Sequence, residues 1–314
     1  MLLLALVALG AGAWLYLPYH ESTGLSEDTP FVVANGATLT SIAREMQNDG
    51  IIDDADAMLL RAKLFGGDAP IRAGEFLLPA GASFATIVDT LQSGNVVRRF
   101  VTIPEGTPSI LVYEKLMAEP LLTGSISVPK EGSVLPETYD FERGESRQAV
   151  LDRMTSAMDR TVRELWADRS ADIAVDTPQE AVTLASIVEK ETGKAEERPM
   201  VAGVLSNRVK IGMMLGADAT TIYPITKGKP LGRRIRVSEL RDANPYNTRA
   251  MAGLPVGPIT NPGRESLAAV LDPAQTDALY YVADGTGGHV FARTLQEHNE
   301  NVRKWREFRK REGI

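Results

Sequence analysis

The chain opens with 19 residues, MLLLALVALGAGAWLYLPY, that carry no charge. A run of that length nearly spans a bilayer as a helix. Trp14, Tyr16 and Tyr19 gather at its far end, where interfacial aromatics belong. Residues 20–30, HESTGLSEDTP, are polar and turn-forming and predict a linker. From residue 31 the pattern shortens. A brief apolar run, a glycine turn and an amphipathic helix follow one another at 31–47, again at 76–92 and again at 100–118. In the first of these Leu39, Ile42, Ala43 and Met46 share one helical face, and a further helix is expected from about Asp54 to Leu64. This is a pattern of small α+β units, with no fixed repeat length.

Beyond the loop EGSVLPETYDF (131–141) the periodicity becomes helical. Val150, Met154, Ala157, Met158 and Val162 form the stripe of a long helix from about Ser146 to Arg169. The segment TPQEAVTLASIVEKETG follows. Thr177, Pro178 and Glu180 make a strong helix start, and Gly193 is a natural stop. Ala181, Leu184, Ala185 and Val188 define an apolar face, and at about 100° per residue Glu191 falls on it. A carboxylate there must be protonated, bonded or paired, unless the helix emerges from the core at that end and leaves it wet. A raised proton affinity is what a general acid needs. A second helix, EERPMVAGVLSNRVKIG, points Val201, Val204, Leu205 and Val209 inward. The remainder is rich in loops, one holding Asp218, Thr220 and Tyr223 and another holding Tyr246 and Asn247. ALYYVAD, GTGG and HVFA read as a β-hairpin. The tail NVRKWREFRKREG is a basic helix with a solvated face.

Composition narrows the possibilities. A net charge of −7 and a pI near 5.2 argue against a globally basic nucleic-acid binder. The absence of cysteine excludes disulfides, thiol catalysis and thiolate-held metals. The 3 histidines, His20, His289 and His298, are too scattered to suggest a metal site, and neither a GKS/T phosphate loop nor a GxSxG nucleophile elbow is present. No Lys or Arg precedes the apolar run, so charge gives no support to an orientation in the membrane.

Several stretches are familiar. NGATLTSIA with IRAGEFLLP resembles a LysM module, the small βααβ fold that binds N-acetylglucosamine glycans. LASIVEKET, NRVKIGMML, DATTIY, YNT, GLPVGPITNPGRESLAAVLDP and LYYVADGTGGHVFARTLQEHN, in that order, resemble the YceG-like family of endolytic murein transglycosylases. The resemblance implies an α+β chain in five parts: a transmembrane signal anchor (1–19), a linker (20–30), a LysM-like subdomain (31–99), a second small α+β subdomain (100–145) and a mainly helical catalytic domain with long loops and a hairpin (146–314). It implies cleavage of the MurNAc-β-1,4-GlcNAc bond within glycan strands, giving 1,6-anhydro ends and ending nascent strand elongation.

It also assigns the acid/base to Glu191; Glu189 is the fallback, because a helix can roll within its packing. Asp218, Thr220, Tyr223, Tyr246, Asn247 and Glu137 are candidate substrate contacts. Neither cofactor nor metal is implied. The expected partners are peptidoglycan strands and the bacterial inner membrane, with cell-wall synthases as further candidates and no nucleic acid. The catalytic domain is expected on the periplasmic side of a single membrane pass. Two alternatives stay open: a lysozyme-like muramidase using water, and a non-catalytic LysM-type scaffold of cell-wall synthesis.

Overall fold

The computed structural model describes residues 2–313. The expected anchor begins at Met1 and the expected catalytic domain ends at Ile314, and these two residues lie outside that range. The chain forms two compact units. One runs through Phe100 and takes in Asp140–Glu145. The other comprises Val101–Tyr139 and continues from Ser146. The stretch expected as a middle subdomain, 100–145, is thus apportioned between them.

Helix α1 (Leu2–His20) is, among the described residues, the one helix long and apolar enough to cross a membrane. Leu3, Leu4, Leu6 and Trp14 along it are exposed. Its last turns are held. Tyr19 is buried, Tyr16 and Tyr19 pack on the Phe65 ring, and the Leu15 carbonyl accepts from Arg61 Nε at 3.3 Å. The expected linker is stitched down as well. Thr23 N–H donates to the Ala82 carbonyl at 2.9 Å, and Gly81 N–H donates to that of Leu25 at 2.8 Å. Its backbone groups find partners, and its last two residues open strand β1.

In the smaller unit β1 (Thr29–Val33) pairs antiparallel with β2 (Gly74–Leu78), Phe31 opposite Phe76. Between them lie α2 (Leu39–Asn48), started by a Thr38–Ser41 capping box, and α3 (Ala55–Phe65), capped by Asp54. Helix α4 (Phe84–Ser93), capped by Ser83, follows β2. Period-2 alternation buries Phe31 and Val33 and exposes Val32. These strands close over Ile42, Met46, Met58, Ile87 and Leu91 in one core.

β3 (Arg98–Thr102) and β4 (Thr138–Glu142) form a second two-stranded sheet, and the chain passes between units within each strand. Helix α5 (Ser109–Ala118) lies between them in sequence. Then come α6 (Arg147–Ala167), α7 (Pro178–Glu191), α8 (Arg198–Lys210), α9 (Asp218–Thr226), α10 (Val237–Arg241) and α11 (Arg264–Leu271). Strands β5 (Tyr280–Ala283) and β6 (His289–Ala292) form the hairpin, and α12 (Leu295–Glu312) packs on it.

Helix α7 is the axis of the larger unit and packs against α6, α8, α9 and α11. Its start carries the expected Thr177–Glu180 capping box. Its burial differs from a one-faced amphipathic helix, because every residue from Ala181 to Val188 is buried. Thr183 and Ser186 tolerate this by donating to the Gln179 and Thr183 carbonyls, at 2.9 and 2.7 Å. A fully buried Leu, Ile or Val contributes about 2 kcal/mol, so Leu184, Ile187 and Val188 fix this helix firmly. Asp218, Thr220 and Tyr223, expected in a loop, lie on α9. Its residues are helical through Pro224, and it ends at Lys227 in a left-handed turn.

Candidate active site

Helix α7 stops at Glu191 because Thr192 turns to extended backbone. The last residue of a buried helix is where the chain comes out of the core, and Glu191 is accordingly half-buried. Strand β5 brings Tyr281 to it, and the Tyr281 hydroxyl donates to Glu191 Oε2 at 2.8 Å. Among the described residues no cation pairs with Glu191, and Oε1 receives no bond. Burial, reinforced by the charge of Asp218, pushes the Glu191 carboxyl above the usual range, against the opposing pull of Tyr281, His289 and Arg249. Tyr281 is held well above its ordinary range by burial and by the neighbouring carboxyl, so it stays a donor.

The hairpin that carries Tyr281 is pinned. His289 N–H donates to Glu197 Oε1 at 2.9 Å, and its Nδ1 lies 2.8 Å from Glu197 Oε2. Burial would raise the Glu197 carboxyl, but the two His289 contacts outweigh it and hold it low. Arg208 donates to the Leu279 and Leu215 carbonyls at 2.7 and 2.6 Å, and so sets the start of β5. Asp218, at the N-terminus of α9, forms an ion pair with Arg249.

Glu189 meets different surroundings. Its side chain is only 5% exposed, it accepts from Gly263 N–H at 2.9 Å, and it lies 3.3 Å from Arg198, which also pairs with Glu105 at 2.6 Å. Glu189 is a buried, paired strut, and its carboxylate is already engaged.

The other candidates divide by burial. Thr220 is fully buried and bonds the Ala217 carbonyl and Thr248. Asn247 is fully buried, and its amide serves the Glu239, Leu240 and Asp242 carbonyls while its Oδ1 accepts from Thr221. Both are buried and engaged in bonds within the protein. Tyr223 is buried against Tyr246, with ring centroids 4.8 Å apart. Glu137 is exposed, and its carbonyl accepts from Ile103 N–H. Only Asp218, of the expected substrate contacts, exerts its charge on Glu191.

Sequence reasoning missed Tyr281, Arg249 and Glu131. The first two had no local signal, since a tyrosine in a strand and an arginine in a loop are ordinary. Glu131 is a second carboxyl raised by burial. It accepts from Ser109 N–H at 2.8 Å and lies 3.5 Å from the Asn261 amide. Tyr223 and Gly132 also bond it, so its lone pairs are committed where those of Glu191 are not. Among the described residues no group of three or more acidic or histidine side chains is placed to hold a metal ion.

Comparison with known proteins adds to this geometry. Residues 31–304 match the model of the YceG-like family. A Bacillus subtilis protein named endolytic murein transglycosylase is 26% identical over 310 residues, covering 87% of this chain and 83% of that one. A Streptococcus pneumoniae protein of the same name is 34% identical over 179 residues, covering 55% of this chain, and the match spans 31% of that longer protein. The crystal structure of a YceG-like protein from Listeria monocytogenes superposes with a TM-score of 0.53 at 26% identity, over 88% of this chain and 99% of that one.

Proposed function

The chain belongs to the YceG-like family, and on that premise we propose that it is an endolytic murein transglycosylase, cutting glycan strands internally at the MurNAc-β-1,4-GlcNAc bond. The observation that carries this reading is a carboxyl at the open end of a buried helix, raised by burial, bonded by one tyrosine and left without a cation. In the proposed reaction Glu191 gives its proton to the glycosidic oxygen as the bond to the muramic acid anomeric carbon breaks. The developing positive charge is sheltered by the substrate's own N-acetyl group, in keeping with single-carboxylate, substrate-assisted chemistry. The Glu191 carboxylate then takes the proton from the C6 hydroxyl, whose oxygen closes onto the anomeric carbon. The proton that left in the first step is regained in the second, no water is consumed, and a 1,6-anhydro end results. Tyr281 keeps the carboxyl in one rotamer throughout, and Asp218 favours the protonated state before the sugar arrives.

The finer placement follows the same reading. Helix α1 serves as a single-pass inner-membrane anchor, with the larger unit on the periplasmic side; its length and apolar surface support this. The β1-α2-α3-β2 order supports a LysM-like role for the smaller unit. A cavity of about 340 Å³, lined by Val32–Asn35 and Ala73–Gly74 among others, is a place for an N-acetylglucosamine residue.

One observation favours a second reading. Asp218 lies close enough to act electrostatically on Glu191, and a second carboxylate is what a water-using muramidase would need. The product separates the two. Mass spectrometry of murein digested by the full chain in detergent should show anhydromuramoyl ends, one water lighter than reducing ends, and none with Glu191→Gln. Reducing ends from the wild type would establish the muramidase. Cutting that persists in Glu191→Gln would remove Glu191 from the role.

A further inference from the structure

Consecutive residues of a helix leave its axis about 100° apart, and the last two of α7 go separate ways. Glu191 meets Tyr281. Lys190 lines a cavity of about 230 Å³ shared with Ala219, Ile222, Lys229, Ile259 and Thr260. The walls are largely apolar. Lys229 pairs with Glu114, whereas Lys190 is exposed and, among the described residues, has no acidic partner. Thr260 is 1% exposed, and its hydroxyl has no hydrogen-bond partner within the protein. The cavity therefore combines apolar surface, one free ammonium at its rim and an unspent hydroxyl in its wall. It is smaller than the roughly 300–1,000 Å³ of ordinary small-molecule sites, which suits a side arm better than a saccharide.

We propose that this cavity receives the lactyl-peptide arm of the muramic acid whose anomeric carbon reacts, with the arm's methyl groups against Ile222 and Ile259 and the α-carboxylate of its first acidic residue paired to Lys190. The proposal rests on the murein-cleaving reading. Its geometry follows from adjacency. Lys190 and Ala219 are the chain neighbours of Glu191 and Asp218, each about 3.8 Å away at Cα. The arm leaves from O3 of the same ring that carries the reacting carbon, and the proposed path takes it past Lys190 and Ala219 into this cavity. Methyl groups and an amide backbone match the walls, and a carboxylate matches the one unpaired ammonium. The enzyme would then read the peptide as well as the sugar, and would distinguish free-acid stems from amidated ones.

The test uses the full chain in detergent on uncrosslinked murein strands prepared in two forms, with the first acidic residue of the stem as its free carboxylate or as its amide. The ratio of the two kcat/KM values is the readout. The wild type should prefer the free acid about tenfold. Lys190→Glu, at an exposed position that the fold does not need, should abolish or reverse the preference, and Lys190→Arg should keep it. Ile222→Trp, which fills the cavity, should lower kcat/KM on both stem-bearing substrates. Equal cutting of the two forms by the wild type, or a ratio unmoved by Lys190→Glu, overturns the arm subsite and leaves the murein reading standing. A wild type that cuts neither form overturns both.

Discussion

Each unit holds a glutamate withdrawn from solvent, fully in one and partly in the other, and the two are treated in opposite ways. In the smaller unit Glu75 is 5% exposed. It is met by two arginines, with Arg99 Nη1 at 2.7 Å and Arg143 Nε at 2.8 Å. The Arg99 hydrogen bond is the leading cause of a carboxyl held below its usual range, in spite of burial. In the larger unit Glu191 has one tyrosine hydroxyl and no cation, and burial raises it. The side chain is the same and both sites are shielded from water, that of Glu75 more completely. What differs is whether the fold supplies positive charge, and that decides whether the group is a strut or a proton store. Glu189, two residues before Glu191 on the same helix, has a guanidinium beside it as Glu75 does.

The largest expected effect on stability comes from breaking the strut. Glu75→Gln leaves the two guanidinium groups without their counter-charge and should lower the stability of the full chain by about 2 kcal/mol at neutral pH. The sign with pH is fixed by the direction of the shift. A carboxyl with a lowered folded-state pKa contributes stability that is present above the ordinary value of 4.5 and is lost as pH falls through the lowered one. Denaturant unfolding of wild type and variant should therefore show a gap at pH 7 that narrows on acidification. A gap that is constant with pH would mean that shape, and not charge, is what Glu75 supplies.

The mirror experiment removes the proton store. Glu191 has a raised folded-state pKa, so its favourable contribution is complete below the ordinary value and is lost as pH climbs through the raised one. Glu191→Gln keeps an acceptor for Tyr281 without the charge. It should be more stable than the wild type by about 1 kcal/mol at pH 8, a gain typical of relieving strain at a functional site. The gain should vanish below pH 4.5, and murein cutting should fall by about a thousandfold. A variant less stable than wild type at pH 8 would put Glu191 among the struts.

This contrast also marks what the sequence could disclose. Helix caps, glycine turns and apolar stripes are local, and they announced α2, α4, α6, α7 and the β5–β6 hairpin. The α7 stripe singled out Glu191 for lying on an apolar face, but with Ala181 through Val188 buried all round, the face no longer discriminates. What separates Glu191 from Glu189 is the placing of Arg198 and Gly263 N–H against the latter and of Tyr281 against the former. Tyr281 is 90 residues away in the chain, and no local pattern reports it. Thr220 and Asn247 are ambiguous in the sequence for a related reason. Hydroxyls and amides suit sugars and suit buried carbonyls equally, and only their burial shows that they serve the second purpose.

The smallest expected effect sharpens the comparison most, because it concerns how the proton store is tuned. Two neighbours act on Glu191 in opposite senses: the Tyr281 bond lowers its proton affinity and the Asp218 charge raises it. A general acid must be protonated in the free enzyme, so kcat/KM should fall on the alkaline side as Glu191 ionises. Tyr281→Phe removes the lowering contact and should move that limb to higher pH. Asp218→Asn removes the raising charge and also releases Arg249, whose charge lowers the affinity, so both consequences move the limb down. His289, which bears on Glu191 as well, stays tied to Glu197 in either variant. A purely structural role for Tyr281 or Asp218 would lower activity at every pH and leave the limb in place. Opposite displacements by the two variants would identify Glu191 as the group that sets it, whereas displacement in one common direction would assign the limb to another carboxyl, with Glu131 the first to replace.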